Sequence, residues 1–146
     1  MSTLNVVFGI IFLVLAIALL IPGVMAATGR LPGNKTIGLQ MQEVREHEIT
    51  WVKAHKVVGP FWILGAIALF FSAAFSFIAA GWVWIMPVIG LIFAVVAISL
   101  GGNYGARTAI LVDKAVKNEE QQPTAPAPKL DIDALRRAAG KADGES

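Results

Sequence analysis

Three long apolar stretches without a charged residue dominate the chain. They run over about residues 4–27, 57–80 and 82–104. A helix needs about 20 apolar residues to cross the hydrocarbon core of a bilayer, and each stretch is long enough. Unpaired strands would leave backbone groups without partners in lipid, so each stretch is predicted to be helical. The pattern therefore predicts an all-α membrane protein with transmembrane helices at about 4–27, 58–80 and 82–104.

Only a few residues around Gly81 separate the second apolar stretch from the third, which predicts a hairpin of these two helices. Inside lipid, helices associate through small residues that let their backbones approach closely. Such residues recur at intervals of four along the two helices. They are Ala68, Ser72, Ser76 and Ala80 on the second helix and Gly90 and Ala94 on the third. We expect this stripe to pack the hairpin together.

The loop at 28–57 joins the first two helices and contains a second helical pattern. Val44, His47, Trp51, His55 and Val58 recur every three or four residues, so they share one face of a helix. This pattern predicts a cytoplasmic helix over 40–57 that rests on the membrane, with Trp51 in the headgroups. Gly59 and Pro60 are predicted to end this helix. Pro is tolerated in the first turn of a new helix, because its missing N–H would be unpaired there anyway. Pro60 would then begin the second crossing.

The chain is thus predicted to consist of a membrane domain over 1–106 and a cytoplasmic tail over 107–146. The segment NEEQQPTAPAPK at 118–129 has three Pro and no large apolar residue, as is typical of an extended linker. The pattern LDIDALRRAAGK after it indicates a short helix at about 131–139. A helix this short is marginal alone in water, so we expect a disordered tail unless a partner orders it.

The basic residues determine the predicted orientation. All twelve Lys and Arg lie in the loop at 28–57 or in the tail, and none lies on the other side. The positive-inside rule then predicts a multi-pass cell-membrane protein with its N-terminus outside and its C-terminus in the cytoplasm. The loop and the tail also carry three and seven acidic residues, and no basic patch contains interleaved aromatics, so nucleic acid is not an expected partner.

The sequence offers little catalytic chemistry. It contains no Cys, which excludes thiolate chemistry and Cys-based metal sites. His47 and His55 are about 12 Å apart along a helix and cannot share an ion, whereas Glu43 and His47 are one turn apart but lack a third ligand. No nucleophile lies at a suitable spacing from His55. No ionisable residue lies within a crossing, which argues against ion-coupled transport. The sequence predicts no enzyme activity, cofactor or metal.

Residues 29–60, GRLPGNKTIGLQMQEVREHEITWVKAHKVVGP, resemble the signature loop of the SdpI/YfhL family of small bacterial membrane proteins. The matching positions are Gly29, Arg30, Leu31, Pro32, Asn34, Ile37, Gly38, Trp51, His55 and Pro60. The resemblance extends over about 4–106 and implies a functional loop formed by Arg30, Pro32, Asn34, Gly38, Gln40, Trp51, His55 and Pro60. The chain departs from the family pattern at Gln40, where Arg is usual, and at Val44, where Thr is usual.

The resemblance also implies a function without catalysis. The best-known member of the family is an immunity protein against a secreted, membrane-active toxin, and it holds a repressor at the membrane. This chain is therefore expected to give immunity to, or to sense, a membrane-active peptide toxin. The alternative is an accessory structural subunit of a larger membrane complex, as the small-residue stripes and the tail indicate. In either case the expected partners are the lipid bilayer and a protein in the membrane or at its cytoplasmic face.

Overall fold

The computed structural model describes residues 2–122, and all regular structure in that part of the chain is helical. Helix α1 spans Thr3–Ala27, α2 spans Gln42–Glu46, α3 spans Glu48–Ile78 and α4 spans Ile85–Gln121, with a 3-10 helix at Gly81–Trp84 before α4. Within the described residues, α1, α3 and the segment Gly81–Gln121 are long and apolar enough to cross a membrane. The predicted all-helical fold, with three helices long and apolar enough to span a membrane, is confirmed. The predicted helix at 131–139 lies outside the described residues.

Small residues bring α3 and α4 together as an antiparallel hairpin. Ser72 on α3 is fully buried, and its Oγ lies 3.0 Å from the Ala68 carbonyl oxygen and 3.1 Å from that of Pro87 on α4. A Cβ at Gly90 would collide with this hydroxyl, so the two backbones approach closely there. Ala68, Ser76 and Ala94 of the small-residue stripe are buried too, whereas Ala80 is exposed.

Helix α1 packs against α3 along its whole length. In the middle of the helices, Phe12 and Ala16 of α1 meet Leu69 and Ala73 of α3 in one buried cluster. At the far end, the buried Asn5 donates from Nδ2 to the carbonyl oxygen of Ala79 at 2.8 Å. This carbonyl belongs to the end of α3, where backbone oxygens lack partners within the helix. Asn5 therefore joins the start of α1 to the end of α3.

Large apolar side chains cover the outer faces of the long helices. Ile10 and Val14 of α1 and Ile92 and Val95 of α4 are each about half exposed or more. Apolar surface on this scale is rare on a soluble monomer. In a bilayer it carries no such penalty, because lipid tails are themselves apolar. The exposed faces of α1 and α4 therefore fit a lipid environment.

A second buried cluster lies at the other end of the helices, around the loop. It joins Ala26 of α1, Leu31 of the loop, Val44 of α2, Trp51 and Ala54 of α3, and Ala109 of α4. Helix α4 continues beyond the predicted crossing at 82–104: Gly105 packs against Val58 and Leu39, and Ala109 enters this cluster. Helix α4 also runs through the predicted start of the linker at residue 118, as far as Gln121.

The predicted single helix over 40–57 is wrong in its extent. His47 has an extended backbone and divides this stretch into the short helix α2 and the start of α3. Helix α3 then continues through Pro60, which does not begin a new helix. The reason is tertiary contact: Gly59 lies against the backbone of Ala27, and Val58 lies against Gly105, so neighbours on both sides hold α3 together across the Gly-Pro pair.

Replacing Ser72 with Leu should weaken the hairpin. The larger side chain has no room between α3 and α4, because Ser72 is fully buried against Pro87 and Gly90. We expect a loss of about 1–3 kcal/mol, the usual cost of overpacking. The measurement is thermal stability of the purified protein in detergent. Ser99→Leu is the matched control, because the Ser99 hydroxyl, like that of Ser72, bonds the carbonyl four residues earlier, but Ser99 is exposed. Equal stability of the two variants would contradict this packing.

Candidate functional site

The loop begins with a tightly capped end of α1. The amide of Gly29 donates to the carbonyl of Ala26, and the amide of Arg30 donates to that of Met25 at 2.8 Å. Gly29 has a positive φ of 72°, which completes the usual geometry of a Schellman cap. The Gly-Arg pair of the sequence motif therefore turns the chain out of α1. It also directs Leu31 back over α3, where Leu31 is buried.

Asn34 organises the middle of the loop. Its side-chain Nδ2 donates to the carbonyl of Pro32 at 3.0 Å, and its Oδ1 accepts from the amides of Thr36 (2.9 Å) and Ile37. Asn and Asp side chains form such turns because they reach the backbone two or three residues away. Gln40 contributes a longer bond of 3.4 Å from Nε2 to the carbonyl of Asn34. Asn34 thus has a structural role in the loop.

Trp51 and His55 hold the two ends of the loop on α3. The indole Nε1–H of Trp51 donates to the carbonyl of Leu31 at 2.9 Å. The amide of Leu39 donates to Nε2 of His55 at 3.0 Å, and Nδ1 of His55 lies 2.8 Å from the carbonyl oxygen of Trp51. The two rings also lie against each other, with centroids 4.0 Å apart. These contacts make Trp51 and His55 the clamp that fixes the loop.

The clamp assigns a tautomer to His55. Its Nε2 accepts a hydrogen bond from the Leu39 amide, so Nε2 carries no proton, and the proton on Nδ1 points toward the Trp51 carbonyl. The neutral imidazole therefore satisfies both bonds. An imidazolium would place two donors face to face at Leu39. With 1% of its surface exposed, His55 has no access to a substrate and serves as a structural residue in this arrangement.

Trp51 therefore does not lie in the lipid headgroups as predicted. Only 5% of its surface is exposed, and its indole ring is part of the buried cluster with Leu31 and Val44. The helical spacing correctly groups Trp51 with His55 and Val58, which are all buried. Their shared face is turned toward the loop and α4, because these segments cover it.

Gly38 occupies a position that no other residue fits. Its φ is 109°, and a Cβ there would collide with Nε2 of His55. Replacing Gly38 with Ala should therefore break the bond between His55 and Leu39 and cost about 1–3 kcal/mol of backbone strain. Limited proteolysis of the loop and thermal stability measure the effect. Gly33→Ala is the control, because Gly33 has open space around it. Equal protease resistance of both variants would refute the clamp.

A cavity of about 580 Å³ opens between the loop and α2. This volume lies within the usual range for small-ligand sites. Its floor is apolar, and its rim carries three basic side chains and one acidic one. The lining residues are Gly29, Arg30, Leu31, Pro32, Gly33, Asn34, Lys35, Val44, Arg45, His47, Glu48, Trp51 and Val52. The cavity thus combines an apolar surface with a basic rim, as a ligand with apolar and anionic parts requires.

The predicted loop residues divide into three groups in the structure. Arg30, Pro32, Asn34 and Trp51 line the cavity. Gly38, Gln40 and His55 do not line it and belong to the loop and its clamp. Pro60 is exposed on α3 and makes none of these contacts. The departure from the family pattern at Val44 lies in the buried cluster around the loop. Val44 is fully buried there and packs in one cluster with Trp51 and Leu31.

Two features of this region were not predicted from the sequence. Arg45 on α2 lines the cavity, although nothing in its helical position distinguishes it from other charged residues. Asp113 is buried on α4, and its carboxylate lies near Glu46 and His47, with ligand atoms of the three residues within 4.8 Å of one another. Of the pair Glu43 and His47, which the sequence analysis rejected as a metal site for want of a third ligand, His47 belongs to this group and Glu43 does not. The available signal for Asp113 in the sequence was an Asp nine residues past the end of an apolar stretch.

Comparison with known proteins identifies a family match that includes most of this region. Residues 30–101 match the model of the SdpI/YfhL protein family. Comparison with curated proteins and with solved structures gives no match. The matched region contains the loop after Gly29, the clamp residues Trp51 and His55, and the apolar parts of α3 and α4. Residues 30–101 of the chain thus form an SdpI/YfhL family domain.

Proposed function

We propose that this chain is a non-enzymatic protein of a bacterial cell membrane that protects against, or senses, a membrane-active peptide toxin. The observation that carries the proposal is the position of the cavity. All of its lining residues except Gly29 lie in the segment that matches the family. The clamp of Trp51 and His55 gives this segment a defined shape, so it is ready to bind without large rearrangement.

The charges around the cavity indicate the kind of partner. Arg30, Lys35 and Arg45 surround a floor that includes Val44 and Trp51. A segment that is partly apolar and partly acidic complements such a surface. We propose that the cavity receives a protein segment of this kind, from the toxin itself or from a cytoplasmic partner that reports its presence.

The orientation of the protein is part of the proposal. Since all twelve basic residues lie between residues 30 and 56 or after residue 106, we place the cavity on the cytoplasmic side, with α2 at the level of the headgroups. A reporter fused after Ser146 should then be active in the cytoplasm. A reporter inserted at Gly81, which is exposed and has open space around it, should be external. An external signal from the C-terminal fusion would overturn this orientation.

A charge reversal in the cavity tests the function. Deleting the gene should sensitise cells to at least one membrane-active peptide, and the parent gene should restore resistance. Arg45→Glu should fail to restore it, because the substitution inverts one of three basic groups on the rim. Lys53→Glu is the matched control, since Lys53 is exposed on α3 and does not line the cavity. Unchanged sensitivity of the deletion strain across a peptide panel would count against the proposal.

The alternative role as an accessory subunit has weaker support. One of its two motivations was the small-residue stripe on α3, and Ser72 and Ala68 of that stripe are covered by α4 within the chain itself. Gentle detergent extraction followed by mass spectrometry distinguishes the two roles. A stoichiometric membrane complex that persists without toxin would favour the accessory subunit.

A further inference from the structure

We propose that Glu46, His47 and Asp113 form a binding site for a divalent transition-metal ion such as Zn²⁺. The three residues come from two distant parts of the chain, the junction of α2 with α3 and the cytoplasmic end of α4. One ligand atom from each lies within 4.8 Å of the others. The site is separate from the proposed function and does not depend on it, although His47 also borders the cavity.

The three ligand types suit this class of ion. Imidazole nitrogen favours Zn²⁺, Ni²⁺ and Cu²⁺ over Mg²⁺, and carboxylate oxygens complete many such sites. Ligands about 2.0–2.2 Å from Zn²⁺ in a tetrahedron lie roughly 3.3–3.6 Å apart. The observed limit of 4.8 Å requires a contraction of about an ångström. Glu46 is exposed and at the end of a five-residue helix, so its side chain has the freedom to move inward.

Electrostatics favours a cation at this point. Only 4% of Asp113 is exposed, and burial of a carboxylate is costly unless an opposite charge or a metal compensates it. The Glu46 carboxylate lies close to it, so one ion there would contact both side chains. A divalent ion neutralises both charges together. Asp113 and Glu46 also interact with other groups of the protein, so the ion binds in competition with those contacts.

The junction of α2 with α3 also carries a buried hydroxyl. Thr50 lies one turn after His47 on α3 and is fully buried. Within the part of the chain that the structure describes, its Oγ1 has no hydrogen-bond partner. A buried hydroxyl of this kind is commonly satisfied by an ordered water or a hydrated ion. At the proposed site, three protein ligands leave at least one coordination position of the ion for a water.

A metal at this site would connect α4 to the α2–α3 junction. The hydrogen bonds from the amides of Thr50 and Trp51 to the carbonyl of His47 begin α3 at this junction. Asp113 lies one turn beyond Ala109, which is buried beside Trp51. The ion would therefore stabilise the layer that carries the cavity and the clamp. Stabilisation follows by mass action, because the unfolded chain lacks the assembled site.

Calorimetry with the full-length protein tests the site directly. The protein is purified in detergent with an affinity tag that contains no His, stripped with EDTA and titrated with ZnCl₂ or MgCl₂. We expect one Zn²⁺ per chain and much weaker binding of Mg²⁺. Asp113→Asn and His47→Gln should each weaken Zn²⁺ binding by more than about tenfold, since even outer-shell losses reach that size. Zn²⁺ should raise the thermal midpoint of the parent and not that of His47→Gln.

Glu43→Gln is the matched control, because Glu43 is another carboxylate of α2 that lies outside the group of three. Its affinity for Zn²⁺ should equal that of the parent. The acidic residues of the tail are identical in all variants, so they cannot cause a difference. If Asp113→Asn does not purify folded, His47→Gln decides, since His47 is only half-buried. The absence of stoichiometric Zn²⁺ binding, equal binding of Zn²⁺ and Mg²⁺, or an equal loss in Glu43→Gln would overturn the proposal.

Discussion

Replacing Gly59 with Ala is expected to lower the stability of the protein by about 3 kcal/mol, the upper part of the range for overpacking. A Cβ at this position would collide with the backbone nitrogen of Ala27 and lie 2.6 Å from its Cα. Backbone atoms cannot rotate away as a side chain can. The end of α1 must therefore move from α3, and with it the capped turn that starts the loop. Thermal unfolding in detergent measures the loss.

Gly102→Ala is the control, with the identical substitution in a neighbouring helix. A Cβ at Gly102 meets nothing within 4 Å. Ala is better than Gly in the interior of a helix by about 1 kcal/mol, so this variant should be as stable as the parent or more stable. The two substitutions are thus expected to change the thermal midpoint in opposite directions. A stabilising effect of Gly59→Ala would contradict the close approach of α1 to α3.

Replacing Trp51 with Ala is expected to have the largest effect in the loop, about 3–5 kcal/mol. The substitution empties the centre of the buried cluster, removes the donor to the Leu31 carbonyl and exposes the ring of His55. The loop should lose its defined position, so protease cleavage between α1 and α2 should increase together with the loss of thermal stability. Any function of the cavity should be lost as well, because Trp51 lines it.

Two further variants separate the causes. Trp51→Phe keeps most of the ring and removes only the donor, so it should cost about 1–3 kcal/mol for the unsatisfied carbonyl of Leu31. Trp82→Ala removes the same side chain from a site where it is 78% exposed, and its stability in detergent should change by less than about 1 kcal/mol. Similar losses in Trp51→Ala and Trp82→Ala would show that Trp51 has no special packing role.

Helical spacing predicted which side chains of α3 share a buried face, but not what covers that face. Spacing places Trp51, His55 and Val58 on one face, and the structure buries all three. The periodic pattern indicates that one face of the helix is apolar. It does not indicate whether lipid or protein covers that face. In a membrane protein the candidates are lipid and protein, and both favour the same residue types. The prediction that Trp51 lies in the headgroups was wrong because the loop and α4 cover it instead.

The Gly-Pro pair illustrates a second limit. Locally, Gly59 and Pro60 are signals for the end of one helix and the start of another. In the structure Gly59 serves a contact between chain segments that are more than thirty residues apart, and α3 continues through Pro60. A glycine needed for close approach and a glycine that ends a helix are identical in the sequence. Only the position of α1 distinguishes them.

The sequence by itself determined the properties that depend on composition over about twenty residues. Lengths of apolar sequence specify three membrane-spanning helices, because the cost of unpaired backbone in lipid leaves no other structure. The family loop, too, was identified from residues 29–60, since its motif is local in the chain. Tertiary structure alone decided which side chains meet: His55 with Leu39, Trp51 with Leu31, and Asp113 with His47. These contacts join segments that are many residues apart in the sequence, so no local pattern encodes them.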